Sequence, residues 1–165
     1  MSKITIRYQK VSDAKRFYEI LSNPNFIYFP AKPKSVADEK KWLQNNPKRR
    51  KNNSEWNYTV LCDNQIVGTV GIKVNPRRKY IGEIGYFLDE NFWNKGIMTK
   101  AVRLAEKEGF KKIGLTRIEI LMQPKNKASE KVAIKCGYTK EGLLKKAIVG
   151  TDGKKKDALL YAKVL

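Results

Sequence analysis

The 165 residues suit one domain, long enough to bury roughly two thirds of the surface of its unfolded chain. There is no histidine, and the two cysteines, Cys62 and Cys136, stand far apart in apolar contexts, which excludes a zinc site or a histidine-based triad and leaves no metal expected. Thirty-five Lys and Arg against 16 Asp and Glu give a net charge of +19, a field that draws polyanions, while no stretch is apolar enough for a membrane span or a secretory signal; the expectation is a cytoplasmic protein with no membrane partner.

Taken in order, Ile4–Tyr8 alternates apolar and polar residues and predicts a strand. Ser12-Asp13 offers an N-cap to a helix with Ala14, Phe17, Ile20 and Leu21 on its apolar face, and Asn23-Pro24-Asn25 stops it. The run Phe26-Ile27-Tyr28-Phe29-Pro30 is too aromatic for an ordinary exposed loop. Ser35, with Asp38 three residues on, caps a second helix carrying Val36, Ala37, Trp42 and Leu43. Residues 47–54 are polar, basic and turn-prone, and predict a loop. Residues 56–62 and 66–74 form a hairpin through Asp63-Asn64-Gln65, and Gly68 and Gly71 in its second arm mark a bulge or a close backbone approach.

The stretch 81–103 organises the rest. An apolar run at 84–88 ends in Asp89-Glu90, a short turn follows, and Gly96 opens a helix whose Ile97, Ala101, Leu104 and Ala105 form one stripe. The first N–H groups of such a helix lack intrahelical acceptors and carry the positive end of its dipole, so the turn is suited to an anion. Neither the G-x-x-x-x-G-K-[ST] phosphate loop nor the glycine triplet of dinucleotide folds is present. Residues 116–122 then alternate as a strand, Asn126 caps a short helix with Val132, Ala133 and Cys136 inward, and Gly137 ends it. Residues 139–149 and 155–165 close the chain as a hairpin around Gly150-Thr151-Asp152-Gly153. Basic residues cluster at Lys48-Arg49-Arg50-Lys51, Arg77-Arg78-Lys79, Lys111-Lys112 and Lys154-Lys155-Lys156, either as solvated faces or as a contact for RNA or a ribosome.

Gly85-Tyr86-Phe87-Leu88-Asp89 with Phe92-Trp93-Asn94-Lys95-Gly96-Ile97-Met98-Thr99 resembles the acetyl-CoA-binding segment of the GNAT superfamily of N-acetyltransferases. The wording is nearest the RimJ/RimL-like branch, which acetylates protein N-termini, ribosomal ones included. Of the signature Q/R-x-x-G-x-G/A, Gly96 is kept, while Trp93 and Met98 depart from it. Asn126, Ser129 and Gly137-Tyr138 match a second family pattern, N-x-x-A/S followed by G-F/Y, but Ala133 stands where many members carry the tyrosine that protonates the departing CoA thiolate.

The resemblance implies a mixed α/β (α+β) fold: a mostly antiparallel sheet, splayed where 84–88 parts from 116–122, with helices on both faces. Acetyl-CoA would lie in the splay, held by the backbone of Phe87 and Leu88, by the turn Asn94, Lys95, Gly96, Ile97, Met98 and Thr99, and by Asn126 and Ser129. Phe26, Tyr28, Phe29, Trp42 and Tyr86 would flank the acceptor, or the loop aromatics would merely close the core. Ser129 is the expected proton donor to the thiolate, against the alternative of a first-turn helix residue. Glu83 is the expected base, against a solvated carboxylate. The acceptor is a protein N-terminal α-amine or a small amine; a basic RNA-binding module on the same scaffold is the non-enzymatic alternative, and oligomeric state is left open.

Overall fold

A computed structural model describes all of residues 1–165. Seven strands make one sheet: β1 (Ile4–Tyr8), β2 (Glu55–Cys62), β3 (Gln65–Val74), β4 (Ile81–Leu88), β5 (Arg117–Met122), β6 (Thr139–Val149) and β7 (Lys155–Val164). Their order is β1-β2-β3-β4-β5-β7-β6, antiparallel throughout except for β4 beside β5. The hairpin between β2 and β3 turns on Asp63 and Asn64, at φ 48° and 65°, the left-handed pair that a two-residue turn of this twist requires. Val60 pairs with Gly68 and Leu61 with Ile66, so Val67 is the extra residue of a bulge. A Cβ on Gly68 would stand 2.2 Å from the Phe87 carbonyl oxygen, which is the close approach expected there.

Parallel neighbours need a crossover, and α4 (Ile97–Glu108) supplies it. Pairing between β4 and β5 is short: Ile81 with Arg117, Gly82 with Ile118 and Glu83 with Glu119, after which the strands part. The expected splay is therefore real, and it begins at Glu83.

Helices cover both faces. On one, α4 and α5 (Lys127–Lys135) bury Ile97, Met98, Ala101, Val102, Ala105 and Ala133 against the sheet. Leu104 sits at the margin of that stripe, half-buried, because Met98 and Val102 take the inward positions. On the other face, α1 (Ala14–Leu21) and α2 (Val36–Gln44) build a smaller core from Ala14, Phe17, Ile20, Leu21, Phe26, Leu43 and Phe87. Phe87 thus serves the α1 side while Ile84, Tyr86 and Leu88 serve the α4 side, as strand alternation requires.

Two local expectations fail. Residues 47–54 are not an open loop: α3 (Asn46–Lys51) occupies most of them. Pro47 fits the first turn, where its missing N–H costs nothing. The basic side chains find partners: Arg49 donates to the Trp42 carbonyl at 2.8 Å, and the Arg50 guanidinium lies 4.1 Å over the Tyr8 ring. Asp13 stands at the N-cap position of α1, but its side chain makes no capping bond there. It is buried and accepts two 2.8 Å bonds from Arg7, one from the Lys10 N–H and one from the Thr59 hydroxyl. Ser35 does cap α2, accepting from the Asp38 N–H at 3.1 Å.

Three basic clusters meet at the end of the sheet where β4 and β5 begin. Lys112 reaches the Tyr8 hydroxyl at 2.5 Å, Arg50 covers the same ring, and Val74, just before the Arg77-Arg78-Lys79 turn, donates to the Ser54 carbonyl at 2.9 Å beside α3. The fourth, at Lys154-Lys155-Lys156, lies apart on the β6–β7 turn.

Candidate active site

The chain leaves β4 through a 3-10 turn at Glu90–Phe92 and reaches α4 with Asn94 at φ 60° and Gly96 at φ 72°. None of the six backbone N–H groups from residue 94 to residue 99 finds an acceptor within the protein, and the turn itself is exposed. Successive free N–H groups at the positive end of a twelve-residue helix form an anion cradle. A Cβ on Gly96 would meet nothing within 4 Å, so the space in front of that backbone is open. Trp93 fixes the turn to the strand: its indole N–H donates to the Leu88 carbonyl at 2.7 Å, and its ring packs edge-on against Phe26.

That bond revises one expectation. The Leu88 carbonyl is spent on Trp93, and the Phe87 carbonyl points toward β3 at Gly68, so neither is free to pair with a ligand in the splay. Because both polar groups of one strand residue point the same way and alternate residues share a direction, the Tyr86 amide and carbonyl and the Leu88 N–H turn toward the gap.

Across that gap stands the first turn of α5. Asn126 caps it, its side-chain carbonyl accepting from the Ser129 N–H at 3.2 Å, which sets the Ser129 side chain toward β4. The Ser129 hydroxyl is buried and lies 2.7 Å from the Tyr86 hydroxyl. Tyr86 therefore does not flank the acceptor side; it bridges to the helix on the opposite face. Burial, only partly offset by the Ser129 hydrogen bond, pushes the Tyr86 phenol up to about 12.

On the α1/α2 face a cleft of about 500 Å³ opens over β2, β3 and β4. Phe29 and Trp42, the latter 40% exposed, line it. Phe26 is buried among Phe17, Phe87 and Trp93 and closes the core instead, and Tyr28 does not line the cleft. Glu83 points into the cleft. Its side chain stays exposed to the cleft, yet crowding by the surrounding protein pushes the carboxyl above the usual range; Lys73 across the β3–β4 pair opposes this, and Glu119 across the β4–β5 pair adds to it. Asp38, Glu39 and Glu55 share the cleft with only Lys32 and Lys73, a local reversal of sign in a chain of charge +19. Glu119 went unnoticed in the sequence, since nothing there reveals the register that sets it beside Glu83; Arg117 holds it at 2.7 Å.

A parted parallel pair, an anion-suited turn at the next helix and a carboxylate cleft on the far face are thus brought together around β4. The family model described as "Acetyltransferase (GNAT) domain" matches residues 3–139, and the chain belongs to that family. Among its relatives, the probable N-acetyltransferase YjcK of Bacillus subtilis (strain 168) is 32% identical over 69% of this chain, which spans 65% of that protein's length. The ribosomal-protein-serine acetyltransferase of Escherichia coli (strain K12) is 27% identical over 96% of this chain and 85% of its own. The solved structure of the microcin C7 self-immunity acetyltransferase MccE in complex with acetyl-CoA and AMP superposes with a TM-score of 0.87 at 27% identity, covering 99% of this chain and 93% of that one. The chain carries an acetyltransferase domain of the GNAT fold.

Proposed function

We propose that the acceptor is a protein N-terminal α-amine and that it attacks the thioester directly, in a ternary complex. What carries this reading is the division of labour across β4: the acidic cleft with Glu83 lies on one face and the Ser129 hydroxyl on the other, with the gap between. An amine entering from the α1/α2 side has the thioester carbon before it and a hydroxyl donor beyond it. The free N–H groups of residues 94–99 hold the diphosphate, and Tyr86 offers backbone partners to the pantetheine arm. Acetyl-CoA supplies an acetyl group activated as a thioester.

Glu83, its carboxyl raised, takes the proton lost by nitrogen as the C–N bond forms. Only modest help is needed for an α-amine of pKa ~7.7–8.0, against ~10.4 for a lysine side chain. Ser129 donates to sulfur as the C–S bond breaks. No cysteine serves as an acetyl carrier: both are buried, and burial pushes the Cys136 thiol up to about 11. The carboxylates of the cleft favour an ammonium guest despite the overall charge. The N-terminal choice draws on the ribosomal-protein acetyltransferases among the relatives. Thiol release from acetyl-CoA, measured with a panel of free and N-blocked peptides beside small amines, tests it: turnover that requires a free N-terminus supports the reading, and turnover of small amines alone refutes it.

The basic end of the sheet favours a second contact, with RNA that carries the acceptor protein. Arg77→Glu with Arg78→Glu and Lys79→Glu, all exposed, should weaken binding of a labelled RNA and flatten its salt dependence, whereas the same change at Lys154, Lys155 and Lys156 should not. Equal losses from both triples would mean that only net charge matters.

A further inference from the structure

The position that many family members fill with a catalytic tyrosine holds Ala133, fully buried, and a hydroxyl nearby must do the same work. The structure brings a phenol to that neighbourhood from a different element. Tyr86 belongs to β4, beyond the last residue that pairs with β5, and its hydroxyl crosses the gap to Ser129 Oγ at 2.7 Å and to the Ser129 carbonyl at 3.3 Å. No other protein group bonds either hydroxyl. A serine alone is a poor acid, and its proton can point anywhere; either hydroxyl can donate across the 2.7 Å contact, and with the phenol, the stronger acid, as donor the serine proton is left free to point at sulfur.

We propose that Tyr86 is a positioning residue of the acetyl transfer, acting through Ser129: it orients the serine hydroxyl toward the departing sulfur and follows it with its own proton. The C–N bond forms as the C–S bond breaks, and the electron pair of that bond leaves on sulfur. The Ser129 proton passes to sulfur, the Tyr86 proton passes to Ser129 Oγ, and solvent restores the phenol. The proton shed by nitrogen leaves on the other face through Glu83, so the two transfers are separated by β4. The inference rests on Ser129 facing the thiolate, as in the reading above, and its test separates the two.

Tyr86→Phe removes one oxygen and keeps the packed ring, and Ser129→Ala and the double variant complete a cycle. Tyr86→Phe is expected to lower kcat about 10-fold or more, within the range of general-acid effects, with KM for acetyl-CoA changed less than about 2-fold and the melting temperature within a few degrees of the parent. The double variant is expected to be no slower than Ser129→Ala, since the phenol works only through the serine. Single-turnover rates in heavy water give a readout independent of the Tyr86 variant: the wild type should slow, and Ser129→Ala should lose part of that slowing, the part that remains belonging to the proton taken by Glu83. An unchanged kcat in Tyr86→Phe, losses that multiply in the double variant, or an effect confined to KM would overturn the role of Tyr86. If Ser129→Ala alone is fully active, it is the assignment of Ser129 that fails, and the relay with it.

Discussion

Gly96 offers a substitution whose structural and ligand effects separate. At φ 72° it occupies the left-handed region, and an alanine there costs about 1–2 kcal/mol. The new Cβ would touch nothing within 4 Å, so no packing loss adds to that strain. For a chain of this size, about 1 kcal/mol lowers the melting temperature by about 2–4 °C. Strain of this kind is present with and without ligand and cancels in a dissociation constant. Any loss of acetyl-CoA affinity must therefore come from the methyl group crowding the diphosphate at the free N–H groups of residues 94–99. We expect Gly96→Ala to weaken binding about 10-fold, equivalent to about 1.4 kcal/mol, and Gly96→Val to weaken it further. Calorimetric titration with CoA beside thermal unfolding measures both quantities. A lowered melting temperature with unaltered affinity would show that the cradle holds no phosphate.

Glu83→Gln should cut kcat/KM by about 10²-fold near neutral pH and move its rise toward alkaline values, since the acceptor must then lose its proton unaided; a profile that stays put makes water the base. Asp13 is pushed up by burial, but its bonds from Arg7, the Lys10 N–H and Thr59 together hold it below the usual carboxylate range. Its contribution is thus complete above the ordinary aspartate value of ~3.9 and is lost as pH falls through the lower folded value. Asp13→Asn should cost about 2 kcal/mol at neutral pH, and its stability should fall less than the parent's on acidification, as read by urea unfolding. Cys136, buried and donating to the Thr99 carbonyl, should resist alkylation at pH 8 until the protein unfolds; rapid labelling of the native state would contradict that burial.

Much of this was legible in the residues. The run that becomes β4, the polar break after it and the glycine before α4 form a local signal, because strand alternation, turn chemistry and capping all act within a few residues. Asn126 was visible as a cap for the same reason, and Ser129 through its match to the family pattern. What stayed hidden depends on tertiary partners. The change from loop to α3 is secured by Arg49 on Trp42 and Arg50 on Tyr8, contacts that composition does not announce. Tyr86 and Phe87 are both aromatic neighbours of the glycine motif, and only the sheet decides that one serves the α4 side and the other the α1 core. Phe26 shows the converse: an aromatic loop residue suited to a groove is claimed by Trp93 and Phe87 instead.

The sheet is joined at its middle by a ladder only three residues long. Everything from β5 onward hangs on those rungs, the α4 crossover and the side-chain contacts across the opening. A pantetheine arm lying in the opening would supply rungs that the polypeptide lacks, so the two halves should be mechanically looser without their donor. Saturation at a hundredfold excess over the dissociation constant would add about 2.7 kcal/mol, so the melting temperature should climb as acetyl donor is titrated in.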